Sequence, residues 1–308
     1  KIIKKIISTC PRTSVNLNDF ELLANKYGYQ FIESFPTGQG YQSVEMKSIL
    51  SDAHICIVGD DEIDDQVFKS CTQLKYIIKW GSGIDQIDKV SASRNTIKVD
   101  NTPEILGKYV AEYTLGLIIS SLRKIHTNHI NMKNNTWDKD KGVSLFNKTV
   151  GILGFGDIGR NLSKLVTPFN CNVIYSDLND FGLEFPKYRS FNKLIEESEI
   201  LVIATPLTEE TENIINTRSL KKADNLELLI NVSRGGVINQ NEILNIVKEG
   251  KLHYLCMDVY ENEPPELSEE ILNDKKIIFT SHNASNTIDA SKEINSEILE
   301  KLEKFLGG

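Results

Sequence analysis

The chain of 308 residues has no apolar run long enough to cross a bilayer, and it contains only five cysteines and eight prolines. The cysteines are scattered and form no C-x-x-C pair or metal-ligand spacing, which argues against a disulfide framework and against a metal site. We expect Cys56 and Cys256, which lie in strand-like apolar runs, to be small buried hydrophobic residues. Scattered thiols of this kind are typical of a protein from the reducing cytoplasm.

Positive charge is also in short supply, because the formal net charge is −8 at pH 7. This balance opposes bulk attraction to nucleic acid or to an anionic membrane. The basic and apolar start, residues 1–7, is too short for a signal peptide, and it predicts a first buried strand. With 40% hydrophobic and 25% charged residues, the composition is that of an ordinary globular protein with one large or two medium domains.

Short apolar runs alternate with helical patterns along the chain, which is typical of βαβ units and a mainly parallel sheet. In the first hundred residues the predicted strands are Lys5–Ser8, Gln30–Glu33, Ile55–Val58, Tyr76–Lys79 and Thr96–Asp100. In the second series they are Thr149–Leu153, Asn172–Ser176, Ile200–Ala204, Leu228–Asn231, Tyr254–Asp258 and Ile277–Thr280. The six strands of the second series, with helices between them, match a complete dinucleotide-binding sheet.

One long helix is predicted between the two series, from Glu104 to Asn134, because apolar residues recur there at helical spacing. Its part 109–124 is apolar around much of its circumference, which a buried core helix or a homodimer interface would explain. The tail from Ala290 to Leu306 predicts another amphipathic helix, which we expect to pack on the first domain. We therefore predict a first domain of residues 1–100 completed by residues 284–308, and a second domain of residues 101–283.

A glycine-rich turn marks the start of the second series. Gly154, Gly156 and Gly159 form G-x-G-x-x-G between a predicted strand and a predicted helix. Glycines at these positions permit a tight turn and let backbone amides approach a pyrophosphate at the helix N-terminus. Asp177, at the end of the next strand, can accept hydrogen bonds from ribose hydroxyls and would repel the 2′-phosphate of NADP. The pattern favours an NAD site over a turn that only packs a helix on a strand.

Three polar residues stand just past strand ends of the second series, where ligands bind in open α/β sheets. They are Arg234, Glu263 and His282. Each alone has an ordinary structural interpretation: a surface cation, a solvated loop carboxylate and a hydrogen-bonding histidine. Their common position at one sheet edge, in a chain with a nucleotide-binding turn, favours a site for chemistry.

Several ordered motifs resemble the D-isomer-specific 2-hydroxyacid dehydrogenase family, in its phosphoglycerate-dehydrogenase-like branch, over nearly the whole length. The motifs are Leu74–Asp88, Asn101–Pro103, Val110–Glu112, the glycine turn, Ala204–Thr208, Ile230–Gly236, Met257–Pro264 and His282. The resemblance implies two doubly wound parallel-sheet domains, a Rossmann cofactor domain and a flavodoxin-like substrate domain. It also implies NAD-dependent interconversion of a small D-2-hydroxy acid and its 2-oxo acid, a homodimer through helix 109–124, and no metal.

The same resemblance implies the roles of individual residues. Arg234 anchors the substrate, His282 is the acid–base and Glu263 is its carboxylate partner. Ser82 and Gly83, in the loop that starts at Gly81, bind the substrate together with Arg234 and His282. The residues implied to bind the cofactor are Gly154, Gly156, Asp157, Ile158, Gly159, Asp177, Thr205, Pro206, Ser233 and Asp258.

The physical chemistry of these three side chains agrees with the implied roles. Arginine is permanently charged and its planar fork can hold the carbonyl and carboxylate oxygens of a 2-oxo acid. Histidine titrates near neutrality, so His282 can give a proton to the carbonyl oxygen as hydride arrives at C2. A carboxylate such as Glu263 favours the protonated ring. We therefore expect reductive kcat/KM to fall on the alkaline side, as His282 loses its proton.

Departures from the family pattern bear on the substrate. Ser281 stands where the family usually has proline, and residues 283–286 replace a glycine-containing run. Relatives that handle 3-phosphoglycerate carry an Arg-Ser motif after the third strand, whereas this chain has the acidic segment Gly59–Asp65, which would repel a phosphate. Arg12 could compensate if it faces the cleft; the alternative is a solvated surface arginine. A small or uncharged-tailed 2-hydroxy acid is therefore the expected substrate.

Other functions remain open at this point. One alternative is 3-phosphoglycerate dehydrogenase proper, and another is a non-catalytic, NAD-sensing protein that acts as a corepressor. Formate oxidation on this scaffold uses glutamine where Glu263 stands, so Glu263 argues against it. A purely structural Rossmann protein would not need Arg234, Glu263 and His282 together.

Overall fold

The computed structural model describes residues 3–308, so Lys1 and Ile2 of the predicted first strand lie outside the described residues. The chain forms two compact units. Unit 1 contains the described residues up to Leu106 together with Asn286–Gly308, and unit 2 contains Gly107–Ser285. The assignment of substrate and cofactor roles to the two predicted domains stays a prediction.

Unit 1 is built on a parallel sheet of five strands in the order β2-β1-β3-β4-β5. Its first part contains β1 (Lys4–Ser8), α1 (Leu17–Lys26), β2 (Tyr29–Glu33), α2 (Ser43–Ile49), β3 (Ile55–Val58), α3 (Asp65–Ser70), β4 (Tyr76–Lys79), α4 (Lys89–Arg94) and β5 (Lys98–Asp100), with a 3-10 turn at Pro11–Asn16. β3 and β4 are buried along their whole length, as expected for parallel strands that are covered on both faces.

Unit 2 is built on a parallel sheet of seven strands in the order β12-β11-β10-β9-β6-β7-β8. Its elements are α5 (Gly107–Leu122), α6 (Ile125–Lys133), β6 (Thr149–Leu153), α7 (Asp157–Val166), β7 (Asn172–Ser176), β8 (Lys187–Tyr188), α8 (Phe191–Glu197), β9 (Ile200–Ile203), β10 (Leu228–Asn231), α9 (Gln240–Lys248), β11 (Tyr254–Met257), α10 (Glu269–Leu272) and β12 (Ile277–Phe279). Numbered from β6, the order begins 3-2-1-4-5-6, which is that of a dinucleotide-binding sheet. The predicted fold class is confirmed.

The last helix, α11 (Ile288–Gly307), returns to unit 1 and covers one face of its sheet. Ile294, Ile298 and Leu302 of α11 are buried in one cluster with Phe20 and Tyr76. The opposite face of the sheet packs α2 and α3, so successive residues such as Ile6 and Ile7 point into different cores. The predicted tail helix thus lies where the sequence pattern placed it.

The prediction of one long helix from Glu104 to Asn134 was wrong. Two helices, α5 and α6, meet at Lys124, whose φ of 54° lies in the left-handed region and cannot continue a right-handed helix. The carbonyl of Leu122 accepts a hydrogen bond from the Val143 amide (2.9 Å), a residue beyond both helices. This long-range hydrogen bond occupies a carbonyl that would accept from within a continuous helix. The spacing of apolar residues along the chain gives no sign of such a bond.

Three further features concern the cysteine side chains, the helices and possible metal ligands. All five cysteines are buried and unpaired, which confirms the expectation for Cys56 and Cys256. Among residues 3–308, no helix has the length and apolar content that a bilayer span requires. The same part of the chain brings no three His, Cys, Asp or Glu side chains together in a way that could hold a metal ion.

Candidate active site

The glycine turn follows β6 and leads directly into α7. Gly154 has a φ of 91°, and a Cβ there would lie 2.7 Å from the backbone of Ala204 and Thr205, so the turn passes tightly against the end of β9. By contrast, a Cβ on Gly156 would meet no atom within 4 Å, so there is open space at the N-terminus of α7. A helix N-terminus with free space in front of it can receive an anionic pyrophosphate.

Asp177 directly follows β7, the strand next to β6, and contacts the glycine turn. Its Oδ2 accepts a hydrogen bond from the backbone N–H of Phe155 (2.7 Å), and its Oδ1 accepts one from Asn179 (3.3 Å). The side chain is only partly buried. The carboxylate therefore stands beside the turn at the end of β7, where a ribose would follow a pyrophosphate. Together with the open space at Gly156, this arrangement fits a dinucleotide.

Asp157 and Ile158 begin α7, but the carboxylate of Asp157 is used inside unit 2. Its Oδ2 accepts a hydrogen bond from the Gly107 N–H at the start of α5 (2.8 Å), so it caps that helix. Thr205 and Pro206 follow β9, and the Pro206 carbonyl accepts a hydrogen bond from the Thr211 hydroxyl (2.6 Å). Cofactor contacts by these four residues stay a prediction.

Arg234 lies in a loop after β10 that a buried asparagine organises. Asn231 is completely buried, and its Oδ1 accepts hydrogen bonds from the backbone N–H and the hydroxyl of Ser233 (3.1 and 3.0 Å). Its Nδ2 donates to the carbonyl of Arg234 (3.0 Å). The Arg234 Nη1 donates to the Ser233 carbonyl (2.9 Å), which holds the guanidinium close to its own loop.

Glu263 and His282 form the expected pair. His282 Nδ1 lies 2.7 Å from Glu263 Oε2, and both side chains are about one fifth exposed, at 22% and 19% respectively. The other carboxylate oxygen of Glu263 accepts a hydrogen bond from the Tyr260 N–H (3.0 Å). A carboxylate bonded at both oxygens fixes the orientation of the ring, with Nδ1 directed at Glu263.

Asp258 organises the loop that carries His282. The residue is 1% exposed, and its Oδ1 accepts hydrogen bonds from the Thr280 hydroxyl (2.6 Å) and the Asn283 N–H (2.8 Å). Its Oδ2 accepts one from the Ala284 N–H (3.0 Å), and its carbonyl accepts one from the His282 N–H (2.7 Å). The structure thus gives Asp258 a structural role around His282, while its contact with a cofactor stays a prediction.

The loops of Arg234 and Glu263 pack against each other through Gly235. A Cβ on Gly235 would collide with the backbone of Tyr260 and Glu261, so only glycine permits this approach. Tyr260 is itself anchored, because its hydroxyl donates to the carbonyls of Met257 (3.0 Å) and Thr280 (2.8 Å). Unit 2 therefore brings Arg234, Glu263 and His282 together on one connected set of loops at the carboxyl edge of its sheet.

Sequence reasoning missed the residues that support this set. Asn231 and Tyr260 carry no charge and look like the end of a strand and a loop aromatic. A polar residue at the end of an apolar strand was the available signal for Asn231. Burial raises the pKa of the Tyr260 hydroxyl, and the negative charge of Asp258 raises it further.

Ser82 and Gly83 lie in unit 1, in the loop after β4. The carbonyl of Ser82 accepts a hydrogen bond from Asn101 Nδ2 (2.8 Å), and the Gly81 N–H donates to the Thr102 hydroxyl (2.8 Å). Trp80, just before the loop, donates from Nε1 to Asn295 Oδ1 (3.0 Å). Hydrogen bonds thus join this loop to the residues after β5 and to α11. Its contacts with a substrate stay a prediction.

The carboxylates of the acidic segment Gly59–Asp65 have local partners. Asp61 is 1% exposed and accepts hydrogen bonds from the Thr9 hydroxyl and the Tyr41 and Gly59 amides; burial raises its pKa, which these bonds partly offset. Asp64 caps α3 by accepting from Gln66 and Val67, each at 3.0 Å. Asp65 pairs with Lys69.

Arg12, the cation that could compensate for the acidic segment, is partly buried. Its guanidinium lies 4.5 Å from the centre of the Trp80 ring, in a cation–π contact. Its carbonyl accepts a hydrogen bond from Asn295 Nδ2 (3.0 Å). Arg12 is therefore packed between the end of β1 and α11, and it is not a freely solvated surface arginine.

Comparison with known proteins matches both the sequence and the fold. Residues 115–284 match the family model "D-isomer specific 2-hydroxyacid dehydrogenase, NAD binding domain". A hydroxypyruvate reductase of Thermotoga maritima is 30% identical, over 96% of this chain and 99% of that protein. A D-3-phosphoglycerate dehydrogenase of Methanocaldococcus jannaschii is 29% identical over 87% of this chain, which spans about half (53%) of that protein.

Solved structures share the architecture. A glyoxylate reductase from Paecilomyes thermophila superimposes with a TM-score of 0.85 over 99% of this chain and 96% of that chain, at 23% sequence identity. At this identity the likeness supports the fold alone. The family match, the relative that aligns end to end and the connected Arg234, Glu263 and His282 loops agree. The chain belongs to the D-isomer specific 2-hydroxyacid dehydrogenase family.

Proposed function

We propose that the protein reduces a small 2-oxo acid to the D-2-hydroxy acid with NADH, and catalyses the reverse reaction with NAD. The observation that carries the proposal is the 2.7 Å contact between His282 Nδ1 and Glu263 Oε2, in loops packed against that of Arg234. Family membership supports the reaction class.

The chain's own residues divide the work as follows. Arg234 holds the carbonyl and carboxylate oxygens of the substrate with its planar fork. His282 donates a proton from Nε2 to the carbonyl oxygen during reduction, and Glu263 stabilises the charged ring before that transfer. The bound nicotinamide supplies the hydride to C2. In unit 1, the amides of Ser82 and Gly83 bind the substrate carboxylate.

Gly154, Gly156 and Gly159 would hold the pyrophosphate at the start of α7, and Asp177 would accept hydrogen bonds from the ribose hydroxyls. The open space at Gly156 and the position of Asp177 beside the turn support this assignment. Asp177 disfavours NADP, because its negative charge would face the 2′-phosphate.

The substrate is a small, unphosphorylated 2-oxo acid. Gly59 and Asp60 follow β3, at the place where a phosphate-binding branch of the family carries a cation. A carboxylate there opposes a dianionic phosphate. A relative named hydroxypyruvate reductase is consistent with this choice.

A substrate screen tests the proposal. NADH oxidation is followed with pyruvate, glyoxylate, hydroxypyruvate and 3-phosphohydroxypyruvate, and the series is repeated with NADPH. We expect turnover of unphosphorylated acids with NADH, and little turnover with NADPH or with the phosphorylated acid. A dominant rate on 3-phosphohydroxypyruvate would identify a phosphoglycerate dehydrogenase instead. NADH binding without turnover of any acid would identify an NAD-sensing binding protein.

A further inference from the structure

Asp60 lies at a topological switch point of the unit 1 sheet. The strand order β2-β1-β3 reverses direction between β1 and β3, and Asp60 follows the end of β3 at Val58 by two residues. In open parallel sheets, ligands bind outside the carboxyl ends of the strands at such a point. The acidic residue therefore stands where this fold receives a ligand.

Two side chains hold the carboxylate of Asp60 in place. Its Oδ1 accepts a hydrogen bond from Lys79 Nζ (2.9 Å), and its Oδ2 accepts one from Gln39 Nε2 (2.8 Å). The Lys79 side chain is only 6% exposed, whereas that of Asp60 is 30% exposed. A buried ammonium thus fixes a carboxylate that remains accessible.

The backbone around Asp60 is fixed as well. The neighbouring Asp61 binds the amides of Gly59 (3.0 Å) and Tyr41 (2.9 Å), which ties the turn to the loop before α2. A Cβ on Gly40 would collide with the Asp60 carbonyl, so that loop packs directly on the turn. Lys79 and Gln39 therefore fix the carboxylate of Asp60, and the packing of Gly40 restricts its backbone, as expected for a preorganised binding group.

Asp60 also lies beside the loop that contains Ser82 and Gly83. Val58 and Lys79 are register partners at the ends of the adjacent strands β3 and β4. The Trp80 N–H donates to the Val58 carbonyl (2.9 Å), which keeps the two chains together past that point. The turn of Asp60 and the predicted carboxylate-binding loop therefore leave the sheet side by side.

We propose that Asp60 determines specificity by accepting a hydrogen bond from a hydroxyl at C3 of the 2-oxo acid. The inference rests on the proposed function and narrows its substrate class to 3-hydroxy-2-oxo acids. A carboxylate is an acceptor only, so it binds a hydroxyl and gains nothing from a methyl group. Its negative charge disfavours a phosphate or a second carboxylate at the same position, although the Lys79 ammonium offsets part of this charge.

Hydroxypyruvate and pyruvate form the matched substrate pair, because they differ only in the hydroxyl at C3. A hydrogen bond to a charged acceptor changes kcat/KM by about tenfold or more. We expect Asp60→Ala to lower kcat/KM for hydroxypyruvate by about this factor and to leave pyruvate within about threefold. The same variant should improve the relative rate on 3-phosphohydroxypyruvate.

Asp65→Asn is the matched control, because it removes one negative charge from the same segment, where Asp65 pairs with Lys69 on α3. It should keep the wild-type ratio of hydroxypyruvate to pyruvate. Asp60→Ala leaves the Lys79 ammonium without this carboxylate, so the double variant Asp60→Ala, Lys79→Met guards against a folding defect. It should show the same loss of selectivity.

The possible outcomes separate the inference from the proposed function. An unchanged hydroxypyruvate-to-pyruvate ratio in the double variant, with turnover retained, overturns the role of Asp60 and leaves the proposed function intact. An equal loss on both substrates does the same, since it shows a general effect. If the wild-type protein turns over none of the 2-oxo acids, the proposed function fails, and the inference fails with it.

Discussion

His282 has a φ of 49°, a left-handed conformation that is uncommon for a residue other than glycine. Its N–H bonds the Asp258 carbonyl and its ring bonds Glu263, so both the backbone and the side chain are fixed. Such backbone strain is concentrated at functional sites, where neighbouring contacts maintain it. At His282 this backbone conformation is found together with the contact between the imidazole and Glu263.

Replacing Glu263 by glutamine tests the acid–base pair. The glutamine side chain would keep the size of the original but would lose the carboxylate that contacts the ring. We expect Glu263→Gln to lower reductive kcat/KM, because the ring loses this charged partner. We expect His282→Ala to lower it by about 100-fold or more.

Glu261→Gln is the control for this measurement, because Glu261 lies in the same loop and its Oε1 binds the Gln240 amide instead (3.0 Å). It should keep the wild-type rate and pH profile. A flat reductive pH–rate profile in the wild type, or a near-normal rate in His282→Ala, would contradict the assignment.

The proposed role of Asp177 in cofactor choice is tested by removing its charge. Asp177→Ala removes the charge that opposes a 2′-phosphate, so the ratio of kcat/KM for NADPH over NADH should rise by about tenfold or more. The KM for NADH should rise as well, because Asp177 also holds the Phe155 amide. Asp180→Asn, in the same loop, should change neither. A ratio that does not move would show that Asp177 is only a structural partner of the glycine turn.

At the scale of elements, α11 is joined to β5 by an ion pair between Lys301 Nζ and Asp100 Oδ1 (3.3 Å). Burial acts to raise the pKa of Asp100, but the Asn101 amide and the Lys301 ammonium outweigh it, so the pKa lies below its usual value. A lowered carboxyl pKa adds stability above the unfolded-state pKa, and this stability is lost as the pH falls through the folded-state pKa.

Lys301→Met should therefore lower the free energy of unfolding by about 0.5–1 kcal/mol near neutral pH, since both groups are partly exposed. The difference from wild type should shrink as the pH falls below the usual pKa of an aspartate and through the lowered pKa of Asp100, because Asp100 then loses its charge. Denaturant unfolding at several pH values measures it, with Lys304→Met on the same helix as the control. A difference that is constant from pH 3 to 7 would argue against the ion pair.

Strands of continuous apolar residues could be predicted from the sequence, whereas elements set by distant partners could not. β3 and β4 lie at the predicted residues. A short run of mostly apolar, β-branched and aromatic residues indicates a buried strand without knowledge of distant partners. β8 has only Lys187 and Tyr188, which form a strand through their pairing with β7.

The candidate site divides in the same way. Arg234, Glu263 and His282 follow strand ends and have ionisable side chains, so the sequence alone could identify them as site candidates. The Lys79–Asp60 ion pair could not be predicted from the sequence, because it depends on the register between β3 and β4.

At the scale of the whole molecule, the predicted homodimer through helix 109–124 remains to be tested. Half of α5 is buried within unit 2, which accounts for much of its apolar character. Exposed apolar side chains continue on α6, at Ile125, Ile130 and Met132, with 54%, 43% and 53% exposure. We predict that these side chains extend the dimer interface beyond helix 109–124.

We expect a dimer mass at micromolar concentration by light scattering. Met132→Asp should weaken the dimer, because it would bury a charge in the interface, whereas Leu272→Asp, an exposed position on α10, should not. An exclusively monomeric mass for the wild type would contradict the prediction.

The return of α11 to unit 1 has a consequence for synthesis on the ribosome. Unit 2 is one continuous stretch of chain, but unit 1 is completed by a helix that is translated after all of unit 2. Nascent domains usually fold in the order in which they emerge. Phe20 and Tyr76 of unit 1 can be buried against Ile294 and Leu302 only after α11 has been synthesised. Unit 2 needs no later segment, so it can fold first. Until α11 emerges, the apolar face of the unit 1 sheet that it covers stays exposed to solvent.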